Sequence, residues 1–255
     1  MSDSDALAFA TAAGITDSVQ RTALDNLVIG LKADGIWTKL KAVYPFVGGT
    51  AASHKWNLKD PQDTDAAFRL VFSGGWTHSA TGALPNGSTG YANTFFNPAT
   101  QGLLYNDNHL SIYSRTSGGG GASNFYEMGE GLNTGGLALF ARRTSDLAGY
   151  DVVTVPGNRV SAANTNGQGF YLGTANTATG RLYKNAALHV SAAIGSVAMP
   201  SYNVYIGGFN EQNSVIHYSA KETAWNSIGV GLTVAEASNL YTRVQAFQTA
   251  LGRQV

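Results

Sequence analysis

The chain has 255 residues, no cysteine and a formal net charge of zero, with 16 basic against 16 acidic side chains. Without cysteine there are no disulfides and no thiolate metal sites, and without a basic stripe the footprint of a nucleic-acid binder is missing. No apolar run reaches the roughly 20 residues of a membrane span, so neither a nucleic-acid partner nor membrane insertion is expected.

Charged residues make up only 13% of the chain, about half of the usual ~25%. Glycine reaches 31 residues and tyrosine 12, a composition that points to a β-rich protein with many turns and a neutral polar surface. The opening MSDSD is acidic and lacks the basic and apolar regions of a secretory leader, so synthesis in a cytoplasm is expected.

Residues 4–14 read as a short helix capped by Ser4 and stopped by Gly14. Thr16 caps a longer helix running to Gly35, in which Val19, Ala23, Leu24, Leu27, Val28 and Leu31 form one apolar stripe. A further helical turn or two is expected over 37–43, ending before Pro45. The stripe has two readings: packing on a β domain, or docking on a partner subunit of a homo-oligomer.

Residues 48–65 form a connection with the charged patch NLKDPQDTD, and 67–72 is the first expected strand. Residues 74–97, rich in Gly, Thr, Asn and Ser, read as a long irregular loop with a strand near 92–96. The segments 109–116 and 136–143 share one alternation: Leu110, Ile112, Leu137 and Leu139 face one way, Tyr113, Arg115, Phe140 and Arg142 the other. Between them a glycine-rich turn is expected over 117–123, then a strand at 125–129. Further strands are expected at 150–155, 159–163, 169–173, 215–219 and 222–228.

The segment 180–209 carries the densest strand signal. Residues 181–183 pair with 188–190 across a turn, and Val204 and Ile206 share a face opposite Tyr205. One half-buried face calls for a second sheet or a helix, hence a sandwich. The chain closes with a helix: Thr233 and Glu236 form a capping box, Leu240, Val244, Phe247 and Leu251 a stripe, and Gly252 the stop.

The runs LYKN at 182–185, VYIGGF at 204–209 and WNSIGVGLT at 225–233 resemble the laminin-G-like branch of the concanavalin-A-like lectin/glucanase superfamily over about 66–232. Many members have glycine after Lys-Asn in the hairpin; here Ala186 stands there, which suggests a longer turn than the two-residue type I′. The runs GIWTKLKAVYPFVGGT at 35–50, HKWNLKD at 54–60, SGGWTH at 73–78 and ASNLYTRVQAFQT at 237–249 make nearly the whole chain similar to a group of tailed-phage structural proteins. That second resemblance implies a virion component, such as a fibre, tail or head-surface protein, with other virion proteins as partners.

Chemistry is sparse. Superfamily glucanases carry carboxylates two residues apart on one strand face; the nearest pair here, Glu127 and Glu130, has an odd spacing that separates the two by face. No Gly-x-Ser-x-Gly elbow is present, and His54, His78, His109, His189 and His217 show no metal-ligand spacing. Asp60, Asp63 and Asp65 cluster on one loop with oxygen ligands suited to calcium, which superfamily members often bind, or serve as turn residues. Sugars are held by aromatic faces and a few fixed polar groups. The candidates are Trp76, His78, Tyr91 and Asn93 in the long loop, and Tyr113, Arg115, Phe140 and Arg142 on one sheet face, against the reading that these aromatics pack under the terminal helices.

The expected fold is mainly β: an antiparallel β-sandwich jelly roll at 66–232, an N-terminal helical segment at 1–47, the connection at 48–65 and a C-terminal helix at 233–255. The expected function is a non-enzymatic virion protein that displays a lectin-like domain and binds a host glycan. The rivals are a free lectin and a polysaccharide hydrolase.

Overall fold

The computed structural model describes residues 1–118, 124–132, 135–153 and 158–255. It is a β-sandwich with a helical layer on one side. The helices are α1 (Ser4–Ala12), α2 (Ser18–Ala33), the short α3 (Ala51–His54) and α4 (Val234–Ala250). The strands in chain order are β1 (Leu40–Tyr44), β2 (Val71–Ser73), β3 (Trp76–Ser79), β4 (Gly82–Pro85), β5 (Tyr91–Asn93), β6 (Asp107–Ser114), β7 (Met128–Leu132), β8 (Gly135–Arg143) and β9 (Leu147–Val152). They continue with β10 (Arg159–Ala163), β11 (Gly169–Asn176), β12 (Thr179–Lys184), β13 (Ala187–Ala193), β14 (Tyr205–Ile206), β15 (Phe209–Glu211), β16 (Ser214–Ile216) and β17 (Thr223–Gly229).

Two sheets result. The first has eight strands in the order β13-β12-β11-β6-β17-β4-β3, with β1 also on β17; the second has nine, in the order β10-β9-β8-β7-β14-β5-β2, with the β15–β16 hairpin joined at β7. All pairings are antiparallel except β15 with β7. The order interleaves distant segments, since β6 lies between β11 and β17, as a jelly roll requires.

Strand alternation sorts the side chains into layers. Leu110, Ile112, Leu137, Leu139, Val204 and Ile206 join the core between the sheets. Tyr113, Phe170, Leu172, Tyr183 and Trp225 pack with the helices in a separate core. The expected 180–209 pairing is present, Leu182 opposite Val190 and Tyr183 opposite Leu188, with an irregularity between the two pairs. Its turn is shorter than expected: Lys184 pairs with Ala187, so the connection is two residues. Asn185 takes the left-handed φ of 55° and is fixed there by exchanging bonds with the Phe170 backbone, which replaces the missing glycine.

Several expectations are corrected. The helix caps are Asp3 and Asp17 rather than Ser4 and Thr16. Residues 40–44 are a strand instead of a helical turn, because their backbone pairs with 226–229 of β17. The first expected strand, 67–72, begins only at Val71, after a 3-10 turn over Asp65–Ala67. The expected loop at 74–97 contains three short strands, β3, β4 and β5. Of the expected glycine-rich turn, residues 119–123 lie outside the described residues, as do 154–155 of the expected strand at 150–155.

The α2 stripe is no free docking surface. Val19 is exposed, while Ala23, Leu24, Leu27, Val28 and Leu31 are buried with Val244 and Phe247 of α4. Arg243 on α4 bonds Asp34 at the end of α2 (2.8 and 3.1 Å), and Lys39 bonds the capping-box Glu236 (2.7 Å). The helices therefore belong to the domain's own core. Deleting residues 1–47 should give an aggregated or unfolded protein, because it removes β1 and uncovers the apolar outer face of the eight-stranded sheet; a soluble, cooperatively unfolding truncation in a thermal melt would show otherwise.

Candidate functional site

Of the four faces of the two sheets, the inner pair forms the core and one outer face lies under the helices. The outer face of the nine-stranded sheet carries a small aromatic cluster of Tyr126, Ala138, Phe140 and Phe209, with Leu147 and Ile216 at its margin. Two glycines seat the rings. A Cβ at Gly149, which stands opposite Phe140 in the ladder, would lie 2.2 Å from the Phe140 ring, and one at Gly136 would lie 2.8 Å from Phe209.

Above this floor lie two guanidinium groups. Arg143 is 4.9 Å from the ring centroids of both Tyr126 and Phe140, and Arg159 is 5.4 Å from that of Phe140, within the range of cation–π attraction. The Tyr126 hydroxyl accepts from Arg143 and Arg159 and donates to Asp151, which uses its full hydrogen-bonding capacity. Arg159 grips the buried Asp151 through both oxygens, at 2.6 and 2.7 Å; that bond holds its guanidinium above the ordinary arginine range. Asn124 accepts from Arg143, and His217 stacks on Tyr126 at 5.6 Å. Burial, then the positive charge of Arg143, pushes the His217 pKa down, so the ring is neutral at neutral pH. The result is a buried aromatic cluster, with Phe140 0%, Tyr126 7% and Phe209 8% exposed, capped by pinned polar groups on the sheet face that no helix covers.

The expected site residues are dispersed. Trp76 and His78 share β3 and stack at 6.1 Å, with Phe72 edge-on to both. Trp76 donates its indole N–H to the carbonyls of Ser73 and Tyr91. Tyr91 stacks on Tyr205 at 4.9 Å, and Asn93 accepts from the Phe95 amide. The Gly49 amide donates to His54 Nε2 (3.2 Å), so His54 holds its proton on Nδ1 and donates it to His78 Nδ1 (2.9 Å).

Tyr113, Arg115, Phe140 and Arg142 do not line one sheet face, because β6 and β8 belong to different sheets. Tyr113 is buried under α4, bonded to Gln245 and Val255. Arg115 binds the Arg253 carbonyl and Glu222, and Arg142 binds Asp146 and the Ser117 carbonyl. Phe140 alone of the four lies in the aromatic floor. The aspartate loop does not fit calcium: Asp63 pairs with Lys55 and Arg69, Asp65 with Arg69, and Asp60 with Gln62. Among the described residues no group of three metal-ligating side chains converges.

Groups capable of hydrolysis are buried or apart. His109 Nε2 lies 3.2 Å from Ser227 Oγ and its Nδ1 bonds the Val230 carbonyl, a serine–histidine contact. Yet His109, Ser111 and Ser227 are each 0% exposed, so no substrate reaches them, and the chain from the Trp225 indole through Ser111 to Ser227 serves to satisfy buried polar groups. Glu127 is closed by Lys221, Ser219 and the Ala141 amide. Glu130 is enclosed with no partner for either oxygen, and burial pushes its carboxyl well up. A cleft between α2 and α4, lined by Ala23, Leu27, Phe247 and Ala250, encloses about 130 Å³, below the ~300 Å³ at which ligand pockets begin.

No protein-family model matches the chain, and no curated protein matches it. Solved structures do. Domain 4 of AbnA, a GH43 extracellular arabinanase from Geobacillus stearothermophilus solved in complex with arabinotriose, is similar with a TM-score of 0.55 at 12% identity, over 79% of this chain and 98% of that one. The fold is an antiparallel β-sandwich jelly roll. The jelly roll is also similar to the botulinum neurotoxin serotype D binding domain, with a TM-score of 0.54 and 10% identity over 82% of this chain. The binding domain of botulinum neurotoxin DC in complex with SialylT gives 0.51 and 11% over 82%. The match spans about half of these toxin domains, 52% of each.

Proposed function

We propose that this jelly roll is a non-catalytic glycan-binding module displayed on a virion, and that sugar is held on the open face of the nine-stranded sheet. The observation that carries the reading is the floor of Tyr126, Phe140 and Phe209 beneath fixed Arg143, Arg159 and His217, on the sheet face that no helix covers. The rings are buried and act as a rigid support; the partly exposed Arg143, Arg159 and His217 held above them are the few fixed polar groups that carbohydrate recognition needs. Similar sandwiches solved with arabinotriose and with SialylT support the ligand class, and the phage-like motifs of the sequence support the setting.

A glycan array read with the labelled protein tests the binding. Tyr126→Phe keeps the ring but releases both arginines from the hydroxyl, and should weaken a positive signal about tenfold, equivalent to ~1.4 kcal/mol. If Trp76→Ala abolishes binding while Tyr126→Phe does not, the sugar sits at the β3 rim and this face is not the site. Mass spectrometry of purified particles tests the setting: the protein should be a stoichiometric component.

A further inference from the structure

The two arginines of the open face differ in charge balance. Arg159 is neutralised by Asp151. Arg143 is not: its hydrogen-bond partners are the neutral Tyr126 hydroxyl and Asn124 side-chain carbonyl, and among the described residues it takes part in no ion pair. The residues outside that set, 119–123, 133–134 and 154–157, include no aspartate or glutamate. Glu211 on β15 acts electrostatically on neighbouring His217 and makes no ion pair with Arg143. A guanidinium is thus fixed over two rings, partly buried and, among the described residues, without a paired anion.

A partly desolvated cation of this kind is electrostatically under-satisfied. Its rigid fork matches a carboxylate in two-point geometry, and the partly exposed His217 ring beside it, stacked on the buried Tyr126, offers a ring face to a sugar. We propose that the open face selects acidic sugars, its specificity set by a ligand carboxylate received by Arg143 while the sugar ring lies against His217. This rests on the glycan-binding reading above and adds the ligand class.

Calorimetric titration with polygalacturonate, hyaluronan and polysialic acid tests it, each beside its carboxyl-reduced neutral form, with poly-glutamate as a carboxylate polymer lacking sugar. At least one acidic glycan should bind, its reduced form at least tenfold more weakly, and poly-glutamate negligibly. Arg143→Met should remove that discrimination at an unchanged melting temperature, and Lys41→Met, at the one exposed position of the otherwise buried β1, should not. Should Arg143→Met disturb folding, Arg143→Lys, which keeps the charge but not the fork, should weaken acidic-glycan binding several-fold. Equal binding of acidic and reduced forms, or of neutral glycans alone, overturns the carboxylate assignment and leaves glycan binding standing. Poly-glutamate binding as tight as the sugars shows that charge alone is read, which also overturns it. Binding of nothing in either panel overturns both.

Discussion

Arg253→Met should destabilise the protein by several kcal/mol: three orphaned buried acceptors at ~1–3 each cost about 3–9 kcal/mol before relief of the buried charge is subtracted. Arg253 is 1% exposed and contacts no carboxylate. Its guanidinium donates instead to the carbonyls of Pro45, Phe46 and Ala224 and to Gln248 Oε1, at 2.6–3.1 Å. It thereby ties the chain after α4 to the end of β1 and to β17. Removing the side chain leaves Pro45, Phe46 and Gln248 unsatisfied, while Ala224 keeps the Gln248 amide. Relief of the buried charge works the other way, but methionine cannot donate, so the orphaned acceptors decide the sign. In a chain of this size the melting temperature should fall by about 10 °C. Lysine should recover only part, since one ammonium cannot reach acceptors spread around a planar fork. An unchanged urea midpoint for Arg253→Met would mean that the desolvation cost of the guanidinium cancels its bonds.

Stability should fall as the solution is acidified from pH 7 towards 4.5. Burial, then the charges of His78 and Arg253, lowers the His54 pKa to about 3, and burial lowers that of His109 to about 4. Both are neutral in the fold at pH 5, whereas in the unfolded chain they protonate near 6.5. The unfolded state therefore binds more protons in this window, and the stability present above pH 6.5 is lost as pH falls. For His109 alone the loss by pH 4 is on the order of 3 kcal/mol. A proton added to His78 Nδ1 would also confront the proton already held by His54, breaking their bond. Glu130 acts oppositely: its carboxyl stays protonated in the fold above the unfolded value, so its contribution is full below about 4.5 and declines as pH rises. The histidines outnumber the one glutamate, so stability should rise with pH between 4.5 and 6.5, and Glu130→Gln should steepen that rise. Urea midpoints that stay flat from pH 7.5 to 5 would contradict this.

The sandwich was legible because inner-facing Leu110, Ile112, Leu137 and Leu139 alternate over long strands, and because the Thr233–Glu236 capping box starts α4 locally. Short elements were not. β1 reads as a helical turn because its pattern is too brief to show a period, and its conformation is set by β17, almost two hundred residues away. β3 to β5, at three or four residues each, carry turn-rich sequence that only distant pairing makes extended. The site failed for a related reason. Period two puts Arg142 on the Phe140 face and Arg143 opposite, but the ladder is irregular between Phe140 and Arg143, and Arg143 lies over the Phe140 ring. Tyr126, Arg159 and His217 come from three other segments whose adjacency follows from sheet order alone. Gly149 opposite Phe140 is a usable signal, but only once the register is known.

The helical layer gives the molecule a back and a front. Ser2 is held by Asp25 of α2, and Val255 bonds Tyr113 beneath α4, so both of these residues sit on the back. Arg143 lies on the front, beyond two sheets stacked about 10 Å apart. A biotin, fluorophore or solid support coupled at either position therefore leaves the front clear, and a sensor surface loaded through either would present every molecule with Arg143, Arg159 and His217 turned to the solution.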